Sequence, residues 1–223
     1  MKNLSILIVL TFLYFTPVNA QGLTSKQIDS LVTSTLKTTP SVGLAIAVVK
    51  DGKLIHSKGY GLKSIESKEK VDKNTMFAIA SNSKAFTSAA LAILVDEGKI
   101  DWNDKVVQYL PEFTMYNDYV TANFTITDLL THRSGLGLGA GDLMIFPDGA
   151  HFTMEDLLTS FQYQEPQSAF RTVYDYDNLL YIAAGEIVAR VSGIPWTKFI
   201  QTRIFDPLKM KNAVPTSSML SQN

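Results

Sequence analysis

Cysteine is absent from all 223 residues, which excludes disulfide staples, thiolate metal sites and a lipidated cysteine. Histidine is scarce: His56, His132 and His151 are the full set, and no His-Glu-x-x-His run occurs, so no zinc hydrolase centre is expected. No Gly-x-Ser-x-Gly elbow is present, which argues against a histidine-based triad on an α/β-hydrolase sheet. His132, at the end of a short helix, reads as a structural hydrogen-bonder, and His56, on a strand, as exposed. The formal charge is only −1, too weak a field to draw nucleic acid. Asp142 and Asp148 lack the alternating acidic pattern of a calcium loop and read as solvated loop acids. Neither a metal nor an organic cofactor is implied, and no internal repeat is visible.

Hydrophobic residues make up 46% of the chain and charged residues 18%, a balance that predicts a packed fold. Residues 1–20 begin Met1-Lys2-Asn3, continue with an apolar run from Leu4 to Phe15 and end in Val18-Asn19-Ala20. That order is the signature of a cleavable signal peptide, which places the mature chain from Gln21 in the periplasm or outside the cell. The run is too short to span a bilayer, so no transmembrane segment is expected in the mature chain. Residues 21–223 are read as one domain.

Helical spacing of Ile28, Leu31, Val32 and Leu36 predicts an amphipathic helix over residues 25–38, stopped by Pro40. Val42 to Val49, Asp51-Gly52 and Lys53 to Tyr60 read as a hairpin whose first strand is buried on both faces. Residues 63–73 are a loop. From Ser81 onward Phe86, Ala89, Ala90, Ile93 and Leu94 form an apolar stripe that Gly98 closes. Shorter helices are predicted at residues 127–132 and 154–161, on either side of a glycine-rich surface loop from Gly135 to Gly149. A longer one runs from Leu179 to Val191 with a Gly193 cap, and Pro195 opens another through Ile200.

A serine hydroxyl becomes a nucleophile when a nearby group takes its proton, and a lysine one turn away does so when its surroundings favour the amine. Ser81-Asn82-Ser83-Lys84 has this spacing, but so do Ser34-Thr35-Leu36-Lys37 and Ser67-Lys68-Glu69-Lys70. Ser67 lies in a charged loop and Ser34 in mid-helix. Only Ser81 follows an apolar lead-in, Phe77-Ala78-Ile79-Ala80, and opens a helix. The competing reading of Ser81 is an ordinary helix-capping serine.

The stretch from Met76 to Thr87, with Glu97-Gly98-Lys99-Ile100-Asp101 and Tyr109-Leu110-Pro111-Glu112-Phe113, resembles the first-motif region of the class C β-lactamase-related serine hydrolases. The resemblance continues through Leu129-Leu130-Thr131-His132-Arg133-Ser134-Gly135-Leu136, Tyr174-Asp175-Tyr176-Asp177-Asn178 and Ile204-Phe205-Asp206-Pro207-Leu208, in the family's order. It implies an α/β (α+β) β-lactamase/DD-peptidase-like fold: a helical lobe plus the N-terminal strands of an antiparallel sheet. By the same resemblance Ser81 is the acylated nucleophile, Lys84 its neighbouring base, Tyr176 the proton-exchanging phenol and Asn178 the amide that holds substrate. The implied partner is a small-molecule or peptide substrate: a β-lactam, a D-alanyl peptide or an ester.

Two departures stand out. Many family members place Pro-Gly and an aromatic before the second motif, where this chain has Phe170-Arg171-Thr172-Val173. The family's third motif, Lys/His-x-Gly on a strand facing the serine, does not follow Asn178, and Arg133-Ser134-Gly135 reads as a turn. The expectation is a truncated chain whose missing C-terminal segment would bring the remaining strands and the second oxyanion-hole donor. The alternative is a catalytically silent homologue that binds peptide or a partner chain.

Overall fold

The computed structural model describes residues 22–146 and 151–220, so the expected signal peptide and Asp148 lie outside the described residues. Helices and a two-stranded antiparallel sheet make a mixed α/β fold, and the chain divides into two compact units between Thr75 and Met76.

In the first unit, helix α1 (Ser25–Thr38) starts at a capping box in which Thr24 and Gln27 satisfy each other's backbone donors. Its Ile28 and Val32 are buried, and it packs on strand β2 (Lys53–Gly61), the antiparallel partner of β1 (Gly43–Lys50). Asp51 and Gly52 turn the hairpin with φ of 49° and 71°, the left-handed pair that two-residue hairpins need.

The expectation that β1 is buried on both faces is not met, since none of its residues is fully buried. An unbroken apolar run leaves the number of covered faces open, and in this unit the described sheet has only two strands. His56 also departs from expectation, being only 5% exposed. The Tyr60 hydroxyl donates to Asp29 Oδ1 at 2.5 Å, so its oxygen is left to accept from His56 Nε2–H at 2.8 Å. Nδ1 then accepts from the Ser25 hydroxyl at 2.8 Å, and one chain of bonds ties α1 to β2. Strand alternation alone does not say which face a helix covers, and α1 covers the face that carries His56.

The two rival Ser-x-x-Lys pairs also lie in this unit. Ser34, Lys37, Ser67 and Lys70 are all exposed, and Ser67 Oγ serves the turn it sits in, bonding Ser64 and the Glu69 N–H.

The second unit is helical: α2 (Lys84–Asp96), α3 (Asp118–Asn123), α4 (Ile126–Thr131), α5 (Met154–Ser160), α6 (Asn178–Ser192) and α7 (Trp196–Ile200). Helix α2 packs against α6 and α7, and α4 against α6. Its most buried line is Thr87, Ala90, Leu91 and Leu94, so the predicted stripe is rotated: Phe86, Ala89 and Ile93 are flanking contacts. Gly98 ends the helix in left-handed geometry with Gly98 N–H bonded to Val95 O and Lys99 N–H to Leu94 O, a Schellman closure. Helix α3 was not anticipated; its six residues are too few to show a period, although Asn117 caps it by accepting from the Val120 N–H.

The core joins these helices through Phe113, Phe124 and Phe161, whose rings meet at centroid distances of 5.3 and 5.5 Å, and through Leu180, Ala184 and Ile187 of α6. Two rigid helix starts result, those of α2 and α6, and the candidate site lies on them.

Candidate active site

Ser81 stands in a 3₁₀ turn, Ala80–Ser83, that leads into α2, rather than in the α-helix itself. Ala80 has φ 44°, a left-handed value that costs a residue with a Cβ about 1–2 kcal/mol, and the next side chain is thereby turned outward to an exposed position. Lys84, one turn on, is half-buried. Tyr176 and Asn178 flank Asp177, which caps α6 by accepting from the Leu179 N–H at 2.8 Å.

The structure brings all four of the predicted residues together. Lys84 Nζ donates to Asn178 Oδ1 at 2.6 Å, to Tyr176 Oη at 2.8 Å and, more weakly, to Ser81 Oγ at 3.3 Å. Ser81 Oγ and Tyr176 Oη are 2.5 Å apart. Either hydroxyl can be the donor in this contact, and a phenol oxygen that has lost its proton would accept the serine hydrogen. The Tyr176 pKa is lowered from its ordinary 10.0, first by the Lys84 hydrogen bond and then by that of Ser81.

Asn178 is engaged at both ends. Its Nδ2 lies 3.1 Å from each carboxylate oxygen of Asp142, so Asp142 is not the solvated loop acid expected from the sequence. The glycine-rich loop explains the difference. Gly141, at φ 76°, begins the short 3₁₀ turn that carries Asp142, and a Cβ there would meet Leu179 Cδ1 at 2.3 Å. The loop thereby folds back onto the start of α6.

His132 is the residue whose place in the site the sequence did not reveal. It ends α4 in left-handed geometry, φ 55°, and is 6% exposed. Its backbone oxygen accepts from the Asp175 N–H at 2.6 Å and its Nδ1 from the Asp177 N–H at 3.1 Å. Its ring lies 4.7 Å from that of Tyr176, 5.2 Å from Tyr181 and 5.5 Å from Tyr174. Burial, followed by repulsion from Lys84, lowers its pKa below the ordinary 6.5. The reading of His132 as a structural hydrogen-bonder holds, with the second-motif segment as what it bonds.

The stretch before that motif, Phe170-Arg171-Thr172-Val173, makes a turn at a charged residue. Arg171 takes φ 67°, and its guanidinium forms a two-pronged bond to Asp128, Nε to Oδ1 at 2.8 Å and Nη2 to Oδ2 at 2.6 Å. Asp177 is fully buried, its Oδ2 has no partner, and desolvation pushes its pKa up to about 7. Beside Ser81 and Lys84 a cavity of ≈ 560 Å³ opens between α2 and α6, walled by Ile145, Phe146, Met154, Ile182 and Trp196. No strand occurs among the described residues of this unit, and no cluster of three or more potential metal ligands occurs among the described residues.

Residues 28–216 match the Beta-lactamase family model. The unguisins hydrolase ungD' of Aspergillus campestris is 34% identical over 177 residues, which cover 75% of this chain and 32% of that protein. Among solved structures, FmtA from Staphylococcus aureus superposes with a TM-score of 0.67 at 26% identity, covering 86% of this chain and 53% of that one. The octameric penicillin-binding protein homologue from Pyrococcus abyssi gives a TM-score of 0.66 at 25% identity, over 83% and 43% of the two chains. This chain therefore spans well under two thirds of the length of each of them.

Proposed function

Because the chain belongs to the beta-lactamase family, whose members compared above include a hydrolase, we propose that it works by serine acyl transfer on an amide, β-lactam or ester carbonyl. The single observation that carries this reading is the 2.5 Å contact between Ser81 Oγ and Tyr176 Oη, with Lys84 Nζ 2.8 Å from the same phenol oxygen.

In the proposed reaction Ser81 Oγ attacks the carbonyl carbon and its proton passes to Tyr176 Oη. The carbonyl π pair moves to oxygen, and the Ser81 N–H offers one donor to it. Collapse of the adduct breaks the bond to the leaving group, which takes the proton from Tyr176. Water then attacks the acyl-serine, gives its proton to Tyr176, and Ser81 Oγ leaves with a proton returned by the phenol. The Lys84 hydrogen bond lowers the phenol's pKa, and the distances favour Tyr176 over Lys84 as the immediate base. Export by the leader-like residues 1–20 would place this chemistry in the periplasm or outside the cell.

A fluorophosphonate probe followed by peptide mass spectrometry tests the reading. An adduct on Ser81, lost in Ser81→Ala and retained in Ser83→Ala, is the expected result. A folded protein that stays unlabelled overturns it in favour of a silent binder of peptide.

A further inference from the structure

His132 grips the backbone on both sides of Tyr176, through Asp175 and Asp177, while its ring lies against the phenol. The segment is held from a third direction by the Gly139 N–H, which donates to Tyr176 O at 2.8 Å. The geometry points to His132 as a positioning residue that aims the Tyr176 phenol at Ser81 and does so only while its imidazole is neutral.

The bond at Nδ1 fixes this requirement. The Asp177 N–H is a donor, so Nδ1 must offer a lone pair and the ring hydrogen must sit on Nε2. A second proton could enter only at Nδ1, where it would face that N–H and abolish the bond. Two influences oppose the cation, burial of the ring and repulsion from Lys84 on α2, while the nearby acids are engaged elsewhere, Asp177 Oδ1 with the Leu179 N–H and Asp175 Oδ2 with the Gly135 N–H. The rings of Tyr174, Tyr176 and Tyr181 would attract a cation, and the two opposing influences outweigh them. Asp142 acts on Tyr176 and Asp177 rather than on the imidazole. Burial and Lys84 together keep the imidazole neutral to a pH below 6.5.

The side chain that mimics Nδ1 best is that of asparagine. Its Oδ1 sits at the same reach as a hydrogen-bond acceptor, it does not titrate, and it tolerates the left-handed backbone that φ 55° demands. Phenylalanine keeps the ring and removes the acceptor, and glutamine moves the acceptor one bond further out.

The inference rests on the proposed role of Tyr176, and two readouts separate the two claims. The first is the rate of Ser81 adduct formation with the fluorophosphonate probe, from pH 4.5 to 8. The second is the titration of the Tyr176 phenol, taken as the ultraviolet difference between each protein and its Tyr176→Phe counterpart, which needs no catalysis. Expected are a His132→Asn variant within about threefold of the parent rate and His132→Phe and His132→Gln variants slower by about a hundredfold or more, with the Tyr176 titration moved upward. In the parent the rate should show an added acid-side loss that coincides with His132 protonation followed by nitrogen-15 NMR, and His132→Asn should lack it. Parent-like labelling and titration in His132→Phe and His132→Gln, or an unchanged acid limb in His132→Asn, would overturn the inference. If His132→Phe does not fold, the comparison of the asparagine and glutamine variants decides. If the parent is never labelled, the hydrolase reading fails while the phenol titrations still judge His132.

Discussion

The hydroxyls of Ser81 and Tyr176 meet at 2.5 Å although 95 positions separate them in the chain. Two helix starts, those of α2 and α6, make the meeting possible, and Lys84 bridges them by bonding both Tyr176 and Asn178. Replacing Lys84 with methionine removes the largest influence that lowers the Tyr176 pKa. The phenol should then titrate closer to 10.0, and Ser81 labelling should fall by about 10²–10⁴-fold. A titration curve identical to that of the parent would refute the electrostatic role given to Lys84.

Asp142 should matter through Asn178. In Asp142→Leu the amide loses the acceptor for its Nδ2 and can rotate, which would turn an N–H toward Lys84 Nζ in place of Oδ1. The expected loss in labelling rate is about tenfold, the size of one hydrogen bond in rate terms. Asp142→Asn, which keeps an acceptor, should lie between that variant and the parent, and equal rates in all three would exclude a role for Asp142 through Asn178.

Asp177 is a buried acid with one unpartnered oxygen. Burial raises its pKa from 3.8 to about 7, so the folded state holds a proton that the unfolded chain has released. Its contribution to stability is therefore present below pH 3.8 and is lost as pH rises toward 7. Asp177→Asn keeps the cap on the Leu179 N–H without that loss. Thermal melts at pH 7.5 should rise by ~2–4 °C, about 1 kcal/mol, with little change at pH 4. A lower melting temperature at both pH values would contradict the reading.

Arg171 should be a stability residue more than a chemical one. Burial alone would raise the Asp128 pKa, but the bonds from Arg171 and Thr125 outweigh it and leave it below 3.8. The pair's stabilisation is thus complete above pH 3.8 and fades as pH falls through the lowered value. Arg171→Ala should cost about 2 kcal/mol in a denaturant titration, and Arg171→Lys should not restore it, because an ammonium cannot make the two-pronged bond. Full rescue by lysine would show that charge alone suffices.

Much of the site could be read in the residues themselves. The apolar lead-in singled out Ser81 and Lys84 from two look-alike pairs, and the order of motifs brought in Tyr176 and Asn178. What stayed hidden depends on backbone turns that side-chain patterns do not encode. His132 and Arg171 adopt left-handed φ without being glycine, and Asp142 is delivered by a loop whose four glycines at 135, 137, 139 and 141 all take positive φ. Hydrophobic period likewise told that residues 43–61 form a hairpin but not which side α1 would cover, and His56 was misplaced for that reason. The offset of the α2 stripe has a similar origin, since α2 packs against α6 and α7, neighbours remote in sequence.

One strained peptide unit has an effect beyond its neighbourhood. At Ala80 the chain accepts a backbone angle that glycine would adopt freely, and the Ser81 side chain departs from that fixed turn. A glycine at this point would let the segment relax and melt later, while the serine wandered. Durability and marksmanship pull in opposite directions at position 80, so a screen that rewards heat resistance alone would select a variant whose Ser81 reacts more slowly with the probe.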